Sequence, residues 1–277
     1  MIDRAPLIRV AALYKVFGGD PGSVMGIVRE GAPKDEVLAS TGHTIGLRNI
    51  NLEISAGEIF VVMGLSGSGK STLIRHFNRL IEPTEGTMHV GDVDVLNLSP
   101  TELEKFRRHR MSMVFQRFAL FPHRTVLQNV AFGLTIQEVP KEERDAKARE
   151  WLSAVDLDGY EDQYPTQLSG GQQQRVGLAR ALCTDPDTLL MDEAFSALDP
   201  LIRSEMQDQL IDLQSRLRKT VVFITHDLNE ALRIGDRIAI LRDGELIQVG
   251  SPDEIVSQPA NDYVEAFVSD VTRHRQL

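Results

Sequence analysis

The segment Gly64–Ser71 narrows the possible folds of this chain more than any other part of it. It reads Gly-Leu-Ser-Gly-Ser-Gly-Lys-Ser and fits the pattern G-x-x-x-x-G-K-[ST]. A short, β-rich apolar run at 59–63 precedes it, and a helical pattern over 70–81 follows it. Glycines let backbone N–H groups curl around phosphate oxygens, and a helix N-terminus adds its positive end. The segment therefore predicts a nucleotide site between a strand and a helix, and the competing interpretation is a flexible Gly/Ser turn.

Two side chains of this phosphate loop have a defined chemistry. Lys70 is expected to reach the β- and γ-phosphates and to take part in catalysis, and the Ser71 hydroxyl is expected to ligate Mg²⁺. The loop therefore predicts a bound nucleotide with Mg²⁺. The residues expected to hold the nucleotide here are Gly64, Ser66, Gly67, Ser68, Gly69, Lys70, Ser71 and Thr72.

Buried-strand patterns alternate with helical ones along the chain. The strand candidates after the first lie at 111–115, 188–191 and 220–225, and an amphipathic helical pattern over 202–217 separates the last two. The order strand, helix, strand predicts an α/β fold with a mainly parallel sheet. The stretch from 126 to about 184 is helix-rich, which predicts a helical subdomain inserted between strands.

Two carboxylates end the strand candidate at 188–191. At the C-terminal edge of a parallel sheet, Asp192 is expected to face the same Mg²⁺ as Ser71. Glu193 would then polarise the attacking water and act in catalysis. The alternative is that one of these carboxylates caps a turn.

Thr225-His226-Asp227 ends the next strand candidate. The His226 imidazole is expected to contact the γ-phosphate and to act in catalysis as its sensor. The alternative is a structural histidine, with Asp227 as a helix cap. The remaining histidines have no metal-ligand spacing, so no zinc or iron site is predicted.

Composition excludes several other classes. Thirty Lys and Arg against forty Asp and Glu give a formal charge of −10, which argues against a nucleic-acid partner. The single cysteine, Cys183, excludes an internal disulfide framework and fits a reducing compartment. The chain shows neither an apolar export core at its start nor a run of about 20 apolar residues, so we expect a soluble, cytoplasmic protein.

The run Leu168-Ser169-Gly170-Gly171-Gln172 identifies a family when it is combined with the motifs above. The chain resembles the ATPase subunits of ABC transporters over nearly its whole length. The other motifs that carry this resemblance are, in chain order, the phosphate loop, Gln116, Asp192-Glu193, Ser196-Ala197-Leu198-Asp199 and His226. The resemblance implies that the nucleotide is ATP. It also implies a P-loop NTPase core with a mainly parallel sheet, an N-terminal antiparallel β part and an inserted helical subdomain.

The same resemblance implies one nucleotide-binding domain over residues 1–277. Its expected parts are an ATP-binding core of about 1–115 and 185–250, a helical subdomain of about 116–184, a short tail over 251–277 and an extra helical insertion of about 20–43.

The resemblance also implies roles for individual residues. Ser169, Gly170, Gly171 and Gln172 would form a second anion site at a helix start, which binds the γ-phosphate held by another copy. Two copies would thus sandwich two ATP molecules head to tail. Gln116 would touch Mg²⁺ and sense the nucleotide.

Asp199 and Phe17 each have two interpretations. By resemblance, Asp199 would cross the dimer interface, whereas Pro200 after it is typical of a helix that Asp199 caps. Phe17 stands where the family usually has an aromatic residue that stacks on adenine, and the alternative is packing in the core.

The chain resembles the glycine betaine/proline importers in particular. The resemblance lies in the insertion and in runs such as 59–66, 78–84, 191–203 and 235–240. This implies a membrane permease as partner, an indirect link to a periplasmic or extracellular solute-binding protein, and a peripheral place on the cytoplasmic side of the cell membrane. The expected contact with the permease is the aromatic loop 118–124, unless its phenylalanines belong to the core. The expected cargo is a quaternary or methylated amine such as glycine betaine, choline or trimethylamine N-oxide, with proline or histidine as alternatives.

Many members of this group carry a tandem regulatory module after the ATPase. Only about 27 residues follow Gly250, which predicts that this chain lacks such a module. A soluble ABC ATPase that acts on nucleic acid or ribosomes is a remote alternative, because the chain has no basic arm or long heptad pattern. A small-molecule kinase would have no use for residues 168–172 or His226.

Overall fold

A computed structural model describes residues 5–116 and 119–274. The chain divides into two compact units, Met1–Ser99 with Ile224–Leu277 and Pro100–Phe223. Among the described residues, none of the helices combines the length and the apolar character needed to cross a membrane.

In chain order the strands are β1 (Pro6–Phe17), β2 (Thr44–Ser55), β3 (Ile59–Met63), β4 (Glu85–Val90), β5 (Val93–Asp94), β6 (Met111–Phe115), β7 (Thr188–Asp192), β8 (Thr220–Thr225), β9 (Arg237–Arg242) and β10 (Glu245–Gly250). The helices are α1 (Met25–Arg29), α2 (Lys34–Thr41), α3 (Lys70–Phe77), α4 (Pro100–His109), α5 (Val126–Val130), α6 (Phe132–Ile136), α7 (Lys141–Ala154), α8 (Gly170–Cys183), α9 (Pro200–Leu217), α10 (Leu228–Ile234), α11 (Pro252–Ser257) and α12 (Asp262–His274). Short 3-10 turns cover Pro21–Val24, Val95–Asn97 and Pro165–Gln167.

The first unit contains an antiparallel sheet with the strand order β2-β1-β4-β5. β1 and β2 pair over most of their length, with Ile8 opposite Ile54 and Val16 opposite Ile45. All four side chains are buried, and the register of the pair shifts at several points between them. This sheet is the antiparallel β part that the family resemblance implied.

The same unit contains β3, β9, β10 and the last two residues of β8, in the strand order β10-β9-β3-β8. β3 runs parallel to β9, with Phe60 opposite Arg237. All residues of β3 are buried, as expected for a strand of a sheet that is covered on both faces. β9 and β10 form a hairpin, whose turn residues Asp243 and Gly244 both have positive φ, +52° and +85°.

The helical insertion between β1 and β2 has its own small core. It is formed by α1, α2 and the adjoining ends of the two strands. The buried side chains of this core are Val16, Val24, Met25, Val28, Val37 and Ile45.

The helix predicted over 70–81 ends four residues early, at Phe77. Arg79 adopts a left-handed conformation (φ +54°), and its Nη1 donates to the carbonyls of Val95 (3.2 Å) and Leu98 (2.7 Å). Apolar periodicity could not predict this end, because the bonding partners come from a later segment of the chain.

The second unit has the strand order β8-β7-β6, with Thr220–Phe223 as its part of β8. β6 and β7 are parallel, and Phe115 lies opposite Asp192. Helices α5, α6 and α7 pack on α8, so the helix-rich character predicted for this stretch is observed. The α/β class with a mainly parallel and an antiparallel sheet is confirmed.

Candidate functional site

The phosphate loop leaves β3 and enters α3 through a tightly enclosed backbone. A Cβ atom at Gly64 (φ +152°) would lie 2.2 Å from the Leu241 carbonyl oxygen. At Gly69 (φ +104°) it would lie 2.8 Å from the Gly46 carbonyl oxygen. Contacts this short are not tolerated, so the loop needs glycine at both positions. The loop therefore packs directly against the backbone of β9 at Leu241 and of β2 at Gly46.

Lys70 is almost fully buried, with 5% of its surface exposed. Its Nζ donates to the carbonyl oxygens of Gly64 (2.9 Å) and Leu65 (3.0 Å) and so lies across the loop. The Ser68 hydroxyl is buried in the same loop and has no hydrogen-bond partner. A buried hydroxyl without a partner costs free energy unless a ligand completes it.

These residues fit a nucleotide phosphate with its metal ion. Gly69 is the N-cap of α3 and contributes no side chain to cap the helix start. A helix start without a side-chain cap attracts anions through its backbone N–H groups. Next to it, Lys70 supplies a positive charge and the half-buried Ser71 supplies a hydroxyl oxygen, the ligand type that Mg²⁺ prefers.

Phe17 lies at the end of β1, and 41% of its surface is exposed. Its ring covers Gly46, where a Cβ would lie 2.6 Å from the ring atom Cε2. Gly46 in turn approaches Gly69 of the phosphate loop, and the Lys15 ammonium lies 5.0 Å from the ring centroid. The ring is thus an exposed aromatic surface beside the loop and not part of the buried core.

His226 follows β8 and is exposed. Asp227 caps α10, since its carboxylate accepts from the N–H groups of Asn229 (2.8 Å) and Glu230 (3.3 Å). The Thr225 hydroxyl accepts from the Asp227 N–H at 2.9 Å. The helix-cap interpretation of Asp227 is therefore confirmed, and the cap leaves the His226 side chain at the surface of the first unit.

In the second unit, Asp192 and Glu193 end β7. Asp192 is buried, with 6% exposed, and Glu193 adopts a left-handed conformation (φ +48°). The Ser196 hydroxyl donates to the Glu193 carbonyl oxygen (2.9 Å) and accepts from Gln116 Nε2 (3.1 Å). Sequence reasoning assigned no role to the Ser196 side chain, and no local pattern indicated that it would connect Gln116 to Glu193.

The run 168–172 forms the start of α8 through a reciprocal capping box. The Ser169 hydroxyl accepts from the Gln172 N–H (3.3 Å), and the Gln172 side chain accepts from the Ser169 N–H (2.9 Å). A Cβ at Gly171 would lie 2.6 Å from Cγ2 of Ile202, so α8 and α9 approach closely there. Gly170 and Gly171 lie in the first turn, where backbone N–H groups favour an anion.

Asp199 caps α9, as its alternative interpretation predicted. Its carboxylate accepts from the Ile202 N–H at 3.1 Å, and Pro200 occupies the first helical position. This cap is compatible with a further contact, because Asp199 is exposed.

The aromatic loop is partly anchored inside the second unit. Phe118 lies outside the described residues. The Phe121 ring is half-buried and lies 4.5 Å from the Phe132 ring, centroid to centroid, and Asn129 accepts from the Phe121 N–H (2.8 Å) and donates to its carbonyl (3.1 Å). Phe121 therefore combines packing with partial exposure.

The predicted site residues are distributed over the two units. The phosphate loop, Phe17 and His226 belong to the first unit. The second unit contains Gln116, the run 168–172, Asp192, Glu193 and Asp199.

Comparison with known proteins identifies the class. The ABC transporter family profile matches residues 47–196, more than half of the chain, and the chain belongs to this family. A solved ATP-binding cassette, a dimer in a post-hydrolysis state bound to ADP and Pi, is similar with a TM-score of 0.74 and 34% identity. The match covers 88% of this chain and 98% of that one.

Curated relatives are more similar in sequence. The glycine betaine transport ATP-binding protein OpuAA of Bacillus subtilis (strain 168) is 56% identical over 100% of this chain and 66% of its own length. The trimethylamine N-oxide transport system ATP-binding protein TmoW of Ruegeria pomeroyi (strain ATCC 700808 / DSM 15171 / DSS-3) is 48% identical over 98% of this chain and 79% of its own length. The chain thus spans just under two thirds of the length of OpuAA.

Proposed function

We propose that this chain is the ATP-hydrolysing subunit of an importer for a quaternary or methylated amine such as glycine betaine, choline or trimethylamine N-oxide. The observation that carries the proposal is the 56% identity to a glycine betaine transport ATP-binding protein along the entire chain. Import of proline or histidine by the same machinery is the second candidate.

The site residues have the following proposed roles. The phosphate loop, Gly64 to Thr72, holds the ATP phosphates, with Lys70 at the β- and γ-phosphates. Mg²⁺, when bound, supplies charge neutralisation, and Ser71, Gln116 and Asp192 would hold it.

The reaction needs a base for the attacking water, and we assign it to Glu193. Its carboxylate takes a proton from the water, and His226 contacts the γ-phosphate as its sensor. Phe17 stacks on the adenine.

The dimer is part of the proposal. Ser169, Gly170, Gly171 and Gln172 would bind the γ-phosphate held by the other copy, and Asp199 would reach across the interface while it caps α9. The solved dimer with ADP and Pi supports such an assembly. The division into a core of about 1–115 and 185–250 and a helical part of about 116–184 belongs to the same proposal.

Partners and location follow from the transporter class. We assign the chain to the cytoplasmic face of the membrane, where it binds permease subunits. A solute-binding protein delivers the solute to these permease subunits. A groove of about 390 Å³ in the second unit, lined by Ala119, Leu120, Pro122 and Pro165 among others, is a suitable surface for a permease. If Phe121→Ala leaves permease capture and transport unchanged, this contact is wrong.

The catalytic part is tested by three versions of the full chain. Wild type should release phosphate from MgATP, and Glu193→Gln should lower turnover by about 10²–10⁴ and accumulate as an ATP-bound dimer in light scattering. Lys70→Ala should bind no MgATP and stay monomeric. Near-normal turnover of Glu193→Gln, or tight ATP binding by Lys70→Ala, would contradict the assigned roles.

The cargo is tested on the complex. The chain is captured with its membrane partners, and the associated solute-binding protein is screened by thermal shift. Stabilisation by betaine, choline or trimethylamine N-oxide supports the first candidate. Stabilisation by histidine or proline alone supports the second.

A further inference from the structure

The helical insertion is connected to the phosphate loop by a continuous set of hydrogen bonds that starts at Arg48 of β2. The Arg48 guanidinium donates to the carbonyl oxygen of Ala32, between α1 and α2. The same guanidinium binds Glu245 of the β9–β10 hairpin at 3.0 Å. With 15% of its side chain exposed, Arg48 is held between the insertion and the hairpin.

The hairpin turn continues this connection to the phosphate loop. The Arg48 N–H donates to the Gly244 carbonyl oxygen at 2.8 Å, and the Gly244 N–H donates to the Ser68 carbonyl oxygen at 2.9 Å. A Cβ at Gly244 would lie 2.8 Å from the Gly46 carbonyl oxygen, so the turn has little room to move. Arg48 thus holds the turn in two ways, through its main-chain N–H to Gly244 and through its guanidinium to the adjoining Glu245, and only the second contact depends on the arginine side chain.

The orientation of one peptide group makes this connection relevant to nucleotide binding. A trans peptide is planar, and its C=O and N–H point in opposite directions. Because the Gly244 N–H binds the Ser68 carbonyl, the Gly69 N–H of the same peptide is directed away from the hairpin turn. Backbone N–H groups of this loop are the groups that bind phosphate oxygens.

The insertion also contacts the loop directly. Lys34, the first residue of α2, has its Nζ 3.5 Å from the Gly67 carbonyl oxygen. This is a long, exposed contact, so we expect it to contribute less than the Arg48 connection. Lys34 acts directly on the Gly67 carbonyl oxygen, whereas the Arg48 connection acts through Gly244 on the carbonyl oxygen of the adjoining Ser68.

We propose that Arg48 is a positioning residue for nucleotide binding, through which the insertion braces the phosphate loop with its amides directed at the phosphates. The proposal rests on the nucleotide site of the proposed function. It assigns a role to the segment of about 20–43, whose residues do not belong to the catalytic set.

The test compares Arg48→Ala with Arg29→Ala in the full chain. Arg29 lies on α1 and pairs with Glu85 on an exposed surface, so it is a matched arginine of the same insertion without a contact to the loop. Binding of a fluorescent ATP analogue with Mg²⁺ gives Kd, steady-state hydrolysis gives KM and kcat, and thermal unfolding without nucleotide reports stability.

We expect Arg48→Ala to raise Kd and KM about tenfold with kcat little changed, and Arg29→Ala to match wild type. Arg48→Lys, which keeps the charge but lacks the planar fork that spans both acceptors, should recover part of the loss. Lys34→Met removes the ammonium group that contacts Gly67 and should raise Kd about two- to threefold, whether or not Arg48→Ala folds.

Unchanged Kd in a folded Arg48→Ala chain overturns the proposal. If the unfolding temperature falls while Kd stays unchanged, the role of Arg48 is purely structural. Wild-type Kd in Lys34→Met contradicts the direct contact. A wild-type chain that binds no MgATP would instead refute the proposed function, so the two failures are distinguishable.

Discussion

Gln116 donates from Nε2 to the Ser196 hydroxyl at 3.1 Å, and Ser196 donates on to the carbonyl oxygen of Glu193 at 2.9 Å. The side chain expected to sense the nucleotide is thus joined to the backbone of the expected catalytic base. Glu193 has a positive φ, which costs a non-glycine residue about 1–3 kcal/mol. The Ser196 hydrogen bonds stabilise this conformation and so help to fix the direction of the Glu193 carboxylate.

Ser196→Ala is predicted to lower hydrolysis without weakening ATP binding. Loss of the two hydrogen bonds of the Ser196 hydroxyl should reduce kcat by about three- to tenfold, while Kd for MgATP stays at the wild-type value. Single-turnover hydrolysis and equilibrium binding measure the two quantities. Ser153→Ala, an exposed serine on α7, is the control. Equal loss of binding and turnover would show that Ser196 acts on the whole fold and not on Glu193.

Phe17→Ala is predicted to weaken binding of ATP but not of inorganic tripolyphosphate. The exposed ring beside the phosphate loop offers a stacking surface for adenine, and such stacking contributes about 1–3 kcal/mol per base. We therefore expect Kd for ATP to rise about tenfold or more, and Phe17→Tyr to keep wild-type affinity. Competition against a fluorescent nucleotide gives both constants. An equal effect on tripolyphosphate would mean that Phe17 only supports Gly46 and the loop.

Local chemistry explains which features could be predicted from sequence. The phosphate loop, the Asp243–Gly244 hairpin and the cap at Asp199 each depend on residues within a few positions of one another. The connections made by Arg48 and Ser196 could not be predicted in this way, because their partners are distant along the chain and follow no period. The early end of α3 at Phe77 has the same cause.

His76 on α3 predicts how stability depends on pH. Burial lowers the pKa of its imidazole from 6.5 to about 4, and the Thr72 carbonyl, Lys15 and Glu82 modify this shift less. The unfolded chain therefore binds a proton at a higher pH than the folded chain does. The contribution of His76 to the free energy of unfolding should be fully present above pH 6.5 and should be lost as the pH falls from 6.5 to about 4. This residue should lower the free energy of unfolding by at most about 3 kcal/mol over that range.

The measurement compares urea unfolding of wild type and His76→Asn across this pH range. The Asn amide can replace the Nδ1–H donor to Thr72, which lies 2.6 Å away. The variant should lose less stability than wild type as the pH falls, whereas the exposed His109→Asn control should follow wild type. Parallel curves for His76→Asn and wild type would show that another group causes the acid sensitivity.

Cys183 predicts that the native chain resists thiol reagents. It is fully buried at the end of α8, and burial raises the pKa of its thiol to about 12. At about pH 8 only about one molecule in ten thousand would carry the reactive thiolate.

The measurement is labelling with iodoacetamide followed by mass spectrometry. The native chain should stay unmodified, and the chain unfolded in concentrated guanidinium chloride should take one label. Ser153→Cys, with its new thiol on the exposed side of α7, should take one label while folded. Rapid labelling of native wild type would show that α8 opens locally, and a protective effect of MgATP would then link that opening to the start of the same helix at Ser169.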